Sequence, residues 1–542
     1  MCSFNFLNKQ NIIMETRNIK LLRFVLAFAL ILGISSCEED FLQTVPTDSV
    51  SNEIALGSTE NMMLAMNGIH RAMYAQNGMV GWYAGQQFLI PTAEYGASDA
   101  LHSAAGNGWF NAMLKWTCHT SAVRNDMSFI WFFYYHIIGS ANNIINAADE
   151  LPMSDDLHNI LGQAYTYRAW AHFQLVQFFA KAYMIGNPSA DLGVPIMTAT
   201  EPPYQGKVRN TVQEVYDQIT DDLDEALIHF ADASPRVDLS HLSVDVAHGV
   251  AARVYLTSGN WSQAASHANA ARQDFTLMSE AQYKAGFGDW NNPEWIWGSK
   301  MIQDQTSYYY SYFYYCSNNF NGSQNRSNPK FMNHLLYDQI SDTDYRKDQI
   351  LANCPSTFDD WDQGENEGRY VSQAAFNDSV AYYRTIVNNS TAHNMVPYMH
   401  IKLYQDNGPT IDPRDVIHMR AAEMYLIEAE ALARQGQDGP AAQVLYELVS
   451  ERDEAYTLSS NTGQALVDEI LLQRRIELFI EGFRWFDMLR NDEELDRTGT
   501  GADPDLYLDG FNQERPSVNP KWVFLIPQRE LDANPNMTQN VH

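Results

Sequence analysis

Basic residues and cysteines are both scarce in this chain of 542 residues. Lys and Arg number 35 against 66 Asp and Glu, a formal charge of −31. Phosphate recognition needs a basic footprint, so the balance argues against nucleic acid as a partner. It also disfavours peripheral attraction to anionic lipid. The five cysteines include no Cys-x-x-Cys pair, which removes the usual zinc and redox arrangements. Also missing are His-Glu-x-x-His, Gly-x-Ser-x-Gly and a phosphate-cradling glycine loop. His102 and His119 stand without metal-ligating companions, and Asp338, Asp342, Asp344 and Asp348 lack the Gly and Glu offsets of a calcium loop. No metal or cofactor is expected. No apolar run reaches the ~20 residues that span a bilayer.

The first residues are informative for what they do contain. Arg17, Lys20 and Arg23 precede an apolar run from Phe24 to Ile34, then come Ser35, Ser36, Cys37 and the acidic Glu38-Glu39-Asp40. Basic, apolar and small-residue regions in that order are those of a secretory signal. A cysteine at the cleavage point resembles a bacterial lipobox. That resemblance implies a signal over residues 1–36, acylation of Cys37 as the new N-terminus, and a tether over 37–58. Met14 is an alternative start, because Met1 to Ile13 add nothing to the signal. Loss of residues 1–36 removes four basic residues and Glu15, so the mature charge is about −34. Cys118, Cys316 and Cys354 then permit at most one disulfide and leave at least one free thiol.

Residues 59–542 read as one mainly α domain. Helical periodicity runs near 59–75, 126–150, 155–184, 211–230, 243–258, 261–273, 414–435, 440–452 and 463–490. Start signals stand at Ser154-Asp155, at Thr211 with Glu214, and at Asp412-Pro413. A helical scaffold over about 59–275 and 412–490 is therefore expected. Loop-rich portions at about 78–110 and 276–410 interrupt it, with short strands such as Trp295-Ile296-Trp297 and a C-terminal segment over 491–542.

The helices carry a repeat. Ala252, Tyr255, Gly259, Trp261, Ala264, Ala268 and Ala271 are spaced to close two antiparallel helices around a glycine turn. Tyr425, Ala429, Leu432, Gly436, Ala442 and Tyr446 form a second version. Small residues that admit close helix approach, with aromatics in the remaining grooves, describe a tetratricopeptide-like hairpin.

Residues 470–490 combine an apolar stripe (Leu471, Leu478, Phe479, Phe486, Leu489) with opposite charges three residues apart. Arg474/Glu477, Glu481/Arg484, Arg484/Asp487 and Asp487/Arg490 predict an ion-pair lattice along one continuous helix. Glu477 and Glu481 could be read as a catalytic carboxylate pair. An arginine within one turn of each argues instead that both stay ionised in a structural role.

Here the chain resembles a known family. The pattern Arg474-Arg475-x-Glu477-Leu, Glu481-Gly482-x-Arg484-x-x-Asp487 and Arg490 is similar to the C-terminal signature of the SusD/RagB family of Bacteroidetes outer-membrane lipoproteins. Segments Ala164 to Phe173 with Gly193 to Ile196, Asn292 to Trp297, Arg420 to Ala431, and Pro527 to Asn540 resemble other family segments in order. The chain departs from the pattern at Val541-His542, where relatives often continue. The resemblance implies a non-enzymatic, lipid-anchored protein of the outer-membrane cell surface. It would capture a glycan, or in some relatives a peptide, and deliver it to a SusC-like TonB-dependent transporter. A surface glycoside hydrolase or peptidase, and a pure protein–protein scaffold built from the repeats, are the alternatives.

No family motif assigns the ligand site, so aromatics in the loop-rich portions are the candidates. Tyr308 to Tyr315, if extended, would put Tyr308, Tyr310, Tyr312 and Tyr314 on one face as a stacking platform; a core strand is the competing reading. Trp82, Tyr83 and Trp109 lie in the first loop-rich portion and Trp290 in the second. Trp295 and Trp297 are assigned to the core.

Overall fold

The computed structural model describes residues 56–76, 83–103, 108–199, 206–302, 304, 308–390, 392–404, 412, 414–498 and 511–542, with the backbone alone at Tyr308. Cys37 and Trp82 lie outside them. Leu56–His542 forms one compact unit. The fold is mainly helical. Among the described residues, the helices of eight residues or more are α1 (Thr59–Ala72), α2 (Gln86–Tyr95), α3 (Asn125–Ala148), α4 (Asp155–Phe179), α5 (Val212–Ala231), α6 (Val244–Ser258), α7 (Trp261–Arg272), α8 (Gln373–Ile386), α9 (Ala421–Arg434), α10 (Asp438–Val449), α11 (Gln464–Glu477) and α12 (Arg484–Asn491). None of the described helices is long and apolar enough to cross a membrane.

Several boundaries follow from caps visible in the sequence. Ser154 Oγ accepts the Leu157 N–H at 3.2 Å and opens α4. Thr211 and Glu214 form a reciprocal capping box that opens α5. Gly259 ends α6 at φ 77°, a left-handed conformation that suits a residue without Cβ, and Asn260 caps α7 by accepting from Gln263. Ala252, Ala264, Ala268 and Ala271 are fully buried between these helices. Gly436, at φ 73°, turns α9 into α10 in the same way. The hairpins stack in series: α3 on α4, α4 on α5, α5 on α6, α6 on α7, α7 on α9, and α9 on α10 and α11. This is the tetratricopeptide-like scaffold, each hairpin burying its small-residue face against the next.

Two small sheets join the scaffold to the irregular portion. Strands β1 (Ala100–His102), β3 (Lys330–Met332), β5 (Met399–His400) and β4 (Ile350–Leu351) form an antiparallel sheet in the order β1-β3-β5-β4. β2 (Trp295–Ser299) pairs antiparallel with β6 (Val416–Arg420), and Trp295 and Trp297 are buried there.

Tertiary partners override the sequence pattern in four places. The helix expected from 414 begins only at Ala421, because Val416 to Arg420 are drawn into pairing with β2. The loop-rich portions hold helices α2 and α8. The tyrosine run is not extended. Ser311 Oγ accepts the Tyr314 N–H at 3.1 Å and starts the short helix Tyr312–Cys316, after a 3₁₀ turn at Tyr308–Tyr310. The helix expected over 463–490 is two helices separated by a break, with Ile480 at φ 62° and Gly482 at φ 93°. Carbonyls that would continue α11 are taken by side chains: Lys402 Nζ donates to Glu477 O and Phe479 O at 2.7 and 3.0 Å, and Arg420 to Glu477 O at 2.8 Å. The Glu94 carboxylate then accepts the Gly482 and Phe483 N–H groups on the far side of the break.

Candidate functional site

Glu477 and Glu481, the pair that invites a catalytic reading, sit at the centre of a buried ionic hub. Glu477 binds Arg346, Arg420 and Arg452, and Glu481 binds Lys402 and Arg420. Glu294 joins through Arg420 and Arg452. Burial alone would raise both carboxyls. The surrounding cations outweigh it and hold both below the usual carboxylate range, Glu477 strongly so. Neither is a proton donor near neutral pH. The ionised, structural role is what the geometry shows, but the partners differ from those expected. Arg474 pairs with Asp487, and Arg484 with Asp99 and Glu493; of the four predicted pairs only Asp487/Arg490 forms. In the other three pairs the carboxylates are taken by other cations: Glu477 by Arg346, Arg420 and Arg452, Glu481 by Lys402 and Arg420, and Asp487 by Arg474 and Arg490.

The three described cysteines are buried free thiols, so no disulfide links them. A central cavity of about 70 Å³ lies between α4, α6 and the hub, where Arg474 and Glu423 are already paired. It holds roughly two waters rather than a sugar ring. A second cavity, of about 220 Å³, is almost wholly apolar and is walled by Trp131, Phe132, Tyr135 and Pro195.

A third cavity, of about 280 Å³, combines aromatic faces with polar groups. It is built from the segment before α2, α2 itself, the turn around Trp109, and the first turn of α3. Asp126 is its organising residue. Tyr83 donates its hydroxyl to Asp126 Oδ1 at 2.9 Å, the Cys118 thiol approaches Oδ2 at 3.1 Å, and Arg124 Nη2 binds Oδ2 at 2.8 Å. Burial favours the neutral carboxyl, but the Arg124, Cys118 and Tyr83 contacts prevail and keep Asp126 ionised. Burial and the Asp126 charge push the Cys118 thiol well up, so it is no thiolate nucleophile. The same two causes raise the Tyr83 phenol, which therefore stays a hydrogen-bond donor.

Trp109 is half-buried at the edge of this cavity and ties the two loop-rich portions together. Its ring meets Tyr83 edge-on at 6.5 Å and Tyr310 edge-on at 5.8 Å, and it lies 5.5 Å from buried Tyr315. Beyond Tyr310, Tyr309 is 46% exposed. Tyr83, Trp109 and Tyr310 are thus brought together from positions more than 200 residues apart. The other candidates with described side chains are not. Tyr312 and Tyr314 are core residues, 0% and 1% exposed, with hydroxyls bonded to Ile480 O and Ser323 Oγ. They present no ring face to a ligand, a correction that follows from the helical turn replacing the expected strand. Trp290 is half-buried elsewhere, its ring covered by the Lys300 ammonium at 4.3 Å. Asp126 and Arg124 escaped sequence reading, because nothing local marks a carboxylate whose partners come from the preceding loop.

A stacked helical-hairpin scaffold with an aromatic, hydrogen-bonding cavity at its irregular side defines a class of binding protein. Comparison with known proteins names the family. Residues 54–256 match a SusD-like family described as "Starch-binding associating with outer membrane", and residues 260–542 match the SusD family itself. The chain belongs to the SusD/RagB family. It is 23% identical to SusD-like protein P38 of Formosa agariphila, over 94% of this chain and 96% of that protein. It is 22% identical to a SusD-like protein of Bacteroides ovatus over 89% and 83%. Its fold is similar to that of a SusD-like carbohydrate binding protein from Bacteroides vulgatus, with TM-score 0.72, 24% identity and coverage of 89% and 97%. A SusD superfamily protein from Bacteroides thetaiotaomicron superposes with TM-score 0.71 at 21% identity, covering 90% and 100%.

Proposed function

We propose that this chain captures a glycan at the cell surface and passes it to a TonB-dependent outer-membrane transporter, held to the membrane through lipidated Cys37. The observation that carries the reading is the convergence of Tyr83, Trp109 and Tyr310 beside the Asp126 cluster. Sugar rings offer C–H faces to aromatic platforms and hydroxyls to carboxylate and phenol groups, and the site supplies both. The description of the Bacteroides vulgatus neighbour as carbohydrate binding agrees with it. Binding rather than catalysis is favoured by the protonation states. Asp126 is the one carboxylate among the described lining residues, and it is ionised and ion-paired, whereas glycoside hydrolysis uses two carboxyl groups flanking the bond.

The test is a titration of the wild-type protein against neutral oligosaccharides and against peptides of similar size. Saturable binding of an oligosaccharide, with no release of reducing ends, is the expected result. Binding confined to peptides would move the same site to the peptide-capturing alternative. Turnover of any ligand would overturn the non-enzymatic reading.

A further inference from the structure

Two successive hairpins of the scaffold carry the same arrangement of histidines, which the glycan reading leaves unused. In the α4/α5 hairpin, His158 Nδ1 lies 3.0 Å from His229 Nδ1, with ring centroids 5.1 Å apart and tilted 50°. In the α6/α7 hairpin, His248 Nδ1 lies 2.9 Å from His267 Nδ1, with centroids 5.0 Å apart and tilted 48°. Each pair is backed by a tyrosine placed seven residues after its first histidine. Tyr165 stacks on His229 at 5.7 Å, and Tyr255 on His267 at 5.4 Å. All four imidazoles are half-buried. None of their Nε2 atoms has a hydrogen-bond partner among the described residues. The rings can therefore exchange tautomers without breaking another contact.

We propose that each histidine pair is a two-point chelating site for a borderline divalent transition-metal ion such as zinc(II), bound through the two Nδ1 atoms. Two nitrogens about 2.0–2.1 Å from a tetrahedral zinc stand about 3.3 Å apart, so each pair needs to open by only a few tenths of an ångström. The ring that the tyrosine stacks on is held in orientation before the ion arrives. Neutral imidazole is the form that ligates. Burial and the neighbouring His248 keep His267 near 4, and burial and His158 lower His229, so both bases are available at neutral pH. A carboxylate stands one helical turn away in each case, Glu225 ahead of His229 and Asp245 ahead of His248, and adds negative potential. No three donors converge on one point among the described residues. The remaining coordination positions are consequently filled by water or by a ligand from solution.

Calorimetric titration of the tag-free mature protein with zinc tests this. Two ions per chain are expected, one per hairpin. H229Q and H267Q should each retain one site and weaken the other by at least about tenfold, and H229Q/H267Q should lose both. Circular dichroism checks the fold of each variant. Should a variant fail to fold, histidine-selective NMR of the wild type with zinc answers instead: of the 15 histidines, the resonances of these four should shift first. No zinc binding at free concentrations up to about 1 mM, unchanged stoichiometry in the double variant, or shifts confined to other histidines would overturn the proposal.

Discussion

Glu94 shows how one residue couples the break in the helix to solution pH. It is buried, it accepts two backbone N–H groups from Gly482 and Phe483, and its Oε2 has no hydrogen-bond partner among the described residues. Burial, only partly opposed by those N–H groups, raises its carboxyl from 4.5 to about 7. Across that interval the folded chain holds a proton that the unfolded chain has released, so this residue's contribution to stability falls as pH rises and levels off above about 7. Glu94→Gln should therefore flatten the pH dependence of chemical denaturation. It should match the wild type in acid and exceed it above neutrality, by up to about 3 kcal/mol less whatever the amide loses as an acceptor. A variant that tracks the wild type across the whole range would show that Glu94 is already ionised or paired. Arg420 presents the opposite case. It serves Glu294, Glu477 and Glu481 at once and is 1% exposed. Arg420→Ala leaves buried carboxylates short of charge and should cost about 3–5 kcal/mol, read as a lower denaturation midpoint.

At the scale of elements, caps and hairpin turns were legible because they are local. Ser154, Thr211 with Glu214, and Gly259 each act within four residues of themselves, and the helices they bound lie where periodicity puts them. What was not legible depends on distant partners. Nothing near residue 480 announces that Lys402 and Glu94 will divide one amphipathic pattern into α11 and α12, and nothing near Val416 reveals that β2 lies alongside. The tyrosine run misled for a related reason. Aromatics favour strands, but Ser311 Oγ and the buried Gln87 side-chain amide oxygen, which accepts the Tyr312 N–H, select a helical turn. The break itself can be tested. A Cβ at Gly482 would sit 3.2 Å from Ile90 Cα in a backbone at φ 93°, so Gly482→Ala should destabilise by at least about 1–2 kcal/mol. An unchanged melting curve would mean that the break tolerates a side chain.

For the molecule as a whole, the family signature was readable in residues 474–490 long before its structural meaning was. Those charges hold the irregular portion to the helical stack: Arg475 and Arg484 bind Asp99, ahead of β1, while Arg490 binds Glu430 in α9. The C-terminal segment is tied back in a similar way, Arg209 donating to Thr538 O and the Asn540 side chain. The candidate site was legible only as a set of aromatic positions, because Tyr83, Trp109 and Tyr310 become neighbours through the fold. If Cys37 is the membrane attachment, Cys37→Ala should release the protein from the outer-membrane fraction, and unchanged retention would refute it. The central claim is ligand capture beside Trp109, and the most direct measurement is calorimetric titration of Trp109→Ala with whichever oligosaccharide the wild type binds, paired with circular dichroism. The account predicts an intact fold with affinity weakened by about 1–3 kcal/mol, by analogy with base–aromatic stacking. Wild-type affinity in a folded Trp109→Ala variant would contradict it.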